Sequence, residues 1–257
     1  MISILSPSKT QDYDDALTTE PTVSHSTPAL LSASQTLATI LRDKTVDELS
    51  HLMGVSEALA RLNHERYQHF SLPFTPENAR PALLAFRGDV YTDIAVEEYQ
   101  AADFYFAQDH LRILSGLYGL LRPLDLIQPY RLEMKNRLTT PRGNTLYQFW
   151  GDRITDLLNE ALSAEGSSVL VNLASVEYSK VIDRKKLAGR IITPVFKEDR
   201  QGTLSTVAVY AKRARGKMAN FIIRQRIDHP EQLKIFQEDG YEYRPTLSSK
   251  EQWIFVR

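Results

Sequence analysis

Cysteine is missing from all 257 residues. That excludes disulfides, a thiol nucleophile, a thiol redox sensor and cysteine-ligated iron–sulfur clusters. Four methionines are the only sulfur left to oxidise. Long apolar runs are missing too, and none approaches the roughly 20 residues that a membrane-spanning helix needs. The first residues lack the basic start and cleavage region of a secretory signal. They read as a strand that opens the fold, and the chain reads as cytoplasmic. Histidines are few, and His64 and His69 lie five apart rather than the four that put a zinc pair on one helix face. No metal or cofactor is implied. Repeats, low-complexity tracts and linkers are also absent, so the reading is a single domain over residues 1–257 in a monomeric chain.

What is present is an ordinary globular composition, 42% hydrophobic and 25% charged, with a formal net charge of −1. That near-neutrality hides an asymmetry. Residues 1–110 hold 7 Lys and Arg against 16 Asp and Glu, whereas residues 111–257 hold 24 against 16. Such a split fits either a basic face for a polyanion or two halves that attract each other within the fold.

The most distinctive stretch covers residues 114–134. A helical pattern of Phe104, Ala107, His110 and Leu111 runs toward it and stops at Gly116 and Gly119. Pro123 suits the first turn of a second short helix, and Pro129 would end it. The expected unit is helix, glycine turn, helix over residues 103–128. Its amides could face an anion, with Arg122 and Arg131 beside them.

Elsewhere, Thr45 and Glu48 form a capping box for a helix to Met53, and Ser56 caps the next. Residues 82–86 read as a buried strand, 145–164 as one helix, and 168–173, 190–196, 203–210 and 252–256 as strands. The polar segment 11–27 reads as a surface excursion. Because helices and strands do not alternate regularly, the expected class is mixed α+β.

Lys212, Arg213, Arg215, Lys217, Arg224 and Arg226 fall within fifteen residues that contain no acid. On a helix, Arg213, Lys217, Asn220 and Arg224 share one face, while Ala214, Met218, Phe221 and Ile222 face the core. A row of cations suits a phosphate backbone, because each neutralised phosphate releases counterions. No catalytic constellation stands out. Lys9, Asp89, Asp125, Glu177 and Lys212 are candidates only if the fold brings them into one cleft.

With those pieces in view, the chain resembles the YaaA peroxide-stress resistance family. The resemblance is carried by Leu5 to Thr10, Phe86 to Tyr91, residues 114–134, Leu146 to Trp150, Val171 to Ser175 with Glu177 and Tyr178, Pro194 to Phe196, and Tyr210 to Gly216. Ser8 departs from the alanine expected there. The resemblance implies a cytoplasmic protein that limits peroxide damage, lowers free iron and protects DNA. It also implies an α+β fold with a positively charged cleft, a helix-hairpin-helix element and binding of double-stranded DNA. That element would sit at residues 103–128, although Gly116 and Gly119 are separated by two residues where the usual hairpin has one. The expected contacts are Lys9, Gly116, Gly119, Arg122, Arg131, Lys212, Arg213, Arg215, Lys217 and Arg224. A nucleic-acid-processing enzyme of base-excision or lyase type, using the same cleft, is the alternative. Iron sequestration lacks clustered ligands.

Overall fold

The computed structural model describes residues 1–13 and 23–257. The excursion expected over residues 11–27 falls largely on residues 14–22, outside the described residues.

The chain opens with β1 (Ile2–Leu5), wholly buried, and a two-residue strand β2 (Thr10–Gln11). Three helices follow: α1 (Leu31–Arg42), α2 (Val46–Met53) and α3 (Glu57–His69). The capping box at Thr45 forms as read, with the Thr45 hydroxyl accepting from the Glu48 amide and the Glu48 carboxylate accepting from the Thr45 amide. Gly54 ends α2 in the left-handed region at φ 62°, and the Ser56 hydroxyl caps α3. Only three residues join the two helices.

Residues 82–86 are not one strand. A single helical turn, α4 (Ala82–Ala85), sits between β3 (Arg80–Pro81) and β4 (Phe86–Arg87). The amides of Ala82 and Leu83 donate to the carbonyls of Asp125 and Pro123, so this apolar run pairs with a distant segment. Short apolar runs do not distinguish the two states by periodicity.

Helix α5 (Ala101–His110) forms as expected, but the expected second helix does not. The chain turns directly into β5 (Leu111–Ser115), then β6 (Gly119–Leu121) and β7 (Leu126–Ile127). Ser115 pairs with Gly119 in an antiparallel hairpin. The glycines therefore turn a hairpin of strands and do not join two helices. Gly119 adopts φ 72°, wedged between Leu30 and Trp150.

Past the hairpin, Gly151 at φ 52° splits the helix expected over 145–164 into α6 (Leu146–Trp150) and α7 (Arg153–Ala164). Then come β8 (Val169–Asn172), the one-turn α8 (Val176–Ser179), β9 (Arg190–Arg200), β10 (Thr203–Ser205) and α9 (Ala208–Arg224). The helix starts at Ala208, so Tyr210 belongs to it and not to a strand. The chain closes with β11 (Glu242–Tyr243) and β12 (Gln252–Val256).

The main sheet is mixed, in the order β11-β12-β9-β8-β1-β5-β6, with β10 on β9. Its five central strands are parallel. The first strand in sequence lies between the second and the third, so the connections leave β1 and β8 in opposite directions. A crevice forms outside the carboxyl ends of strands at such a switch point. Here those ends are Leu5 and Asn172.

Gly116, at the same edge, is buried. A Cβ built on it would lie 2.1 Å from the carbonyl oxygen of Leu132, a backbone atom with no freedom to withdraw. Gly116→Ala is expected to destabilise the fold by about 1–3 kcal/mol through overpacking. The test is denaturant unfolding, and an unchanged midpoint would contradict this account of the close approach.

Candidate functional site

The carboxyl edge is built from backbone segments fixed by buried side chains. Tyr91 donates its hydroxyl to the carbonyl of Ser6 at 2.8 Å, and Tyr67 donates to the carbonyl of Arg131 at 2.7 Å. Burial pushes both phenols far above their usual range, so they remain donors. The Ser6 hydroxyl crosses the switch point. It accepts from the Ser175 amide at 2.9 Å and lies 3.3 Å from the Ser175 hydroxyl.

Above this frame sits Glu133, only 6% exposed. Lys9 Nζ lies 2.9 Å from its carboxylate, Lys135 Nζ 3.3 Å and an Arg131 guanidinium nitrogen 3.8 Å. Burial raises the carboxyl, but hydrogen bonds and charge from Lys9 and Lys135 outweigh it and hold Glu133 below its usual 4.5. Glu177 reaches the same turn, its carboxylate accepting from the Lys135 amide at 3.3 Å. One donor is left without a partner, the buried Nε of Arg131.

The turn also reaches the last turn of α2. Asn136 Oδ1 accepts from the Glu133 amide at 2.7 Å, and its Nδ2 donates to the carbonyl of Leu52 at 2.8 Å. On the other side, a Cβ on Gly88 would lie 2.8 Å from the Ser8 hydroxyl, and next to Gly88 stands Asp89, paired with Lys212 at 3.3 Å.

Lys9 and Glu177 thus meet at the Glu133 turn, whereas Asp89 and Lys212 pair with each other and make no hydrogen bond or ion pair to that turn. Asp125 belongs to neither group. It is 1% exposed and accepts from Ser26 and Arg122, so its oxygens hold the loop before β7. Arg122, its partner at 3.2 Å, follows the antiparallel β6 and lies at the amino end of the parallel strands. Gly116 and Gly119 are buried, so neither can touch a polyanion; they are packing residues.

The basic row of α9 is paired with acids. Arg213 makes two bonds to Asp93 at 2.9 and 3.0 Å, Lys217 meets Asp239 at 2.6 Å, and Arg224 meets Asp103 at 3.2 Å. Asn220, on the same face, accepts from the Tyr99 hydroxyl. Arg213, Asn220 and Arg224 thus meet residues 93–103, while Lys217 meets Asp239, and Arg213 and Arg224 stay exposed. Arg215 alone of this cluster has neither an ion pair nor a hydrogen bond among the described residues.

Glu133, Lys135 and Ser175 were missed by the sequence reading. The one signal for Glu133 was its position as the sole acid among Arg131, Lys135, Arg137 and Arg142. No three His, Asp or Glu among the described residues come together as metal ligands. No helix among them is long and apolar enough to cross a membrane.

A model for the family described as peroxide stress protein YaaA matches residues 1–247. The chain belongs to that family. The match takes in Lys9, the residues around Glu133 and Glu177, and Lys212.

Because Glu133 titrates below its usual value, its stabilising effect is complete above about pH 4.5 and is lost as the pH falls through the lowered value. Replacing Lys9 and Lys135 with methionine leaves burial dominant, so Glu133 should then protonate at higher pH. A carbon-13 carboxyl titration by NMR measures this directly, and an unmoved Glu133 resonance would sink the assignment.

Proposed function

We propose that this chain serves in peroxide defence in the cytoplasm by binding double-stranded DNA, as a single monomeric domain, and so limits iron-driven oxidative damage. The lowered free iron implied by the family resemblance lies downstream of that contact. The observation that carries the reading is the Asn136 bridge. It ties the last turn of α2, which leads into the exposed glycine turn before α3, to the turn of Arg131, Glu133 and Lys135. A helix-hairpin-helix role for residues 46–69, rather than 103–128, rests on their three-residue connection and left-handed Gly54. The first amides of α3 are oriented as donors for a phosphate. Lys9 and Lys135, each more than half exposed, add sequence-independent charge.

Fluorescence anisotropy of a labelled duplex, titrated with salt, tests this. Lys9→Ala with Lys135→Ala should weaken binding to all sequences and flatten the salt slope by about two. Changing Lys212, Arg213, Arg215 and Lys217 together to alanine should cost less, since three of them each face a carboxylate of their own, whereas Lys9 and Lys135 share Glu133. Parental affinity in the Lys9/Lys135 variant across the titration would overturn the reading.

A second reading, a lyase acting on abasic DNA, is favoured by one feature. The Lys9 amine and the Glu133 carboxylate lie 2.9 Å apart, a nucleophile beside a proton acceptor. It predicts that borohydride traps the chain on an abasic duplex and that Lys9→Ala abolishes the adduct. A parent chain that gives no adduct rules it out.

A further inference from the structure

Two-electron oxidation of side chains by peroxide falls on cysteine and methionine. This chain holds sulfur only in Met1, Met53, Met134 and Met218. None of the four is more than 6% exposed, and Met134 and Met218 are fully covered. Buried methionine is common, but two of these lie inside the turns described above. Met53 is the last residue of α2, next to the left-handed Gly54. Met134 stands between Glu133 and Lys135, whose side chains meet each other at 3.3 Å. Both of its peptide neighbours are tied elsewhere, the Glu133 amide to Asn136 and the Lys135 amide to Glu177. Met134 is therefore the apolar anchor that seats this charged turn in the core.

A thioether is oxidised when its sulfur takes one oxygen atom from hydrogen peroxide. An S–O bond forms as the O–O bond breaks, sulfur gives up two electrons, and the second oxygen leaves as water. The product is a polar sulfoxide, which at Met134 would have to sit in the core and would unseat the turn. A covered sulfur meets peroxide only when the surrounding structure opens. We propose that Met134 is a latent sulfoxidation site, closed to peroxide in the folded chain and reached by opening of the Glu133 turn. The folded chain then neither scavenges peroxide with its own sulfur nor is switched by it. Its endurance in the oxidant is set by its stability, and whatever loosens the turn exposes it to damage. This rests on burial and on membership of the peroxide-stress family, not on DNA binding.

The test is time-resolved peptide mass spectrometry of the full chain in hydrogen peroxide, counting the oxygen added at each methionine. In denaturing urea all four should oxidise at similar rates. In buffer, Met134 and Met218 should oxidise at least about a hundredfold more slowly. Urea below the unfolding transition should speed Met134 in step with the population of the open form. Gly116→Ala should speed it by about five- to 150-fold, the factor that matches its expected loss of stability. A second comparison isolates the turn. A chain with Met53→Leu and Met218→Leu keeps sulfur there, and the same chain with Met134→Leu as well does not. Oxidised in urea and returned to buffer, the first should regain a lower unfolding midpoint than the second. Oxidation of Met134 in buffer at the denatured rate overturns the closed site. A rate in buffer that low urea leaves unchanged overturns opening as the route. Equal midpoints for the two oxidised chains overturn Met134 as the anchor. Duplex binding enters none of these measurements, so failure of the DNA reading leaves the inference standing.

Discussion

Gly116 lies so close to the carbonyl of Leu132 that no side chain fits between them. The carboxyl edge of the sheet depends on this approach. It brings the segment leading to Glu133 down onto the end of β5, beside the ends of β1 and β8. Tyr67 fixes that segment through the Arg131 carbonyl, and Tyr91 fixes the neighbouring one through Ser6. Burial keeps both hydroxyls protonated, so the same interior that stabilises the sheet also aims the backbone at its rim. With the frame set, Lys9 and Lys135 have one carboxylate to meet, and the charges converge there.

Charge elsewhere is used differently. Carboxylates of the acidic first half meet cations of the basic second half along α9: Asp89 with Lys212, Asp93 with Arg213, and Asp103 with Arg224 and Arg226. The asymmetry between halves is therefore largely spent inside the fold. Exposed pairs of this kind contribute little each, about 0–1 kcal/mol. Their larger consequence is that the most basic helix does not present a bare positive face. The residual charge gathers at the Glu133 turn, where cations outnumber acids.

Several local decisions were legible in the residues. Thr45, Glu48, Gly54 and Ser56 mark the ends of α2 and α3 because caps and left-handed positions depend on a few neighbouring atoms. The buried face of α9 was readable from Ala214, Met218 and Ile222. The segment after α5 was not. Leu111 continues the helical spacing of Phe104 and Ala107, yet the chain turns to strand there. Pairing of residues 111–113 with β1 is long-range and outweighs local periodicity. Residues 82–85 failed in the opposite sense, taking a helical turn because their amides find partners beyond Pro123. Glu133 stayed inconspicuous because its partners come from residue 9 as well as from its own turn.

The residues by themselves determined the α+β composition, the helix caps, the absence of thiol chemistry and the family resemblance. All of these are local or compositional. Only the tertiary structure decided that the paired glycines are buried, that most cations of α9 pair with carboxylates, and that the sheet reverses its order between β1 and β8. Burial, ion pairing and strand order are relations between residues far apart in the chain, and no local spacing encodes them.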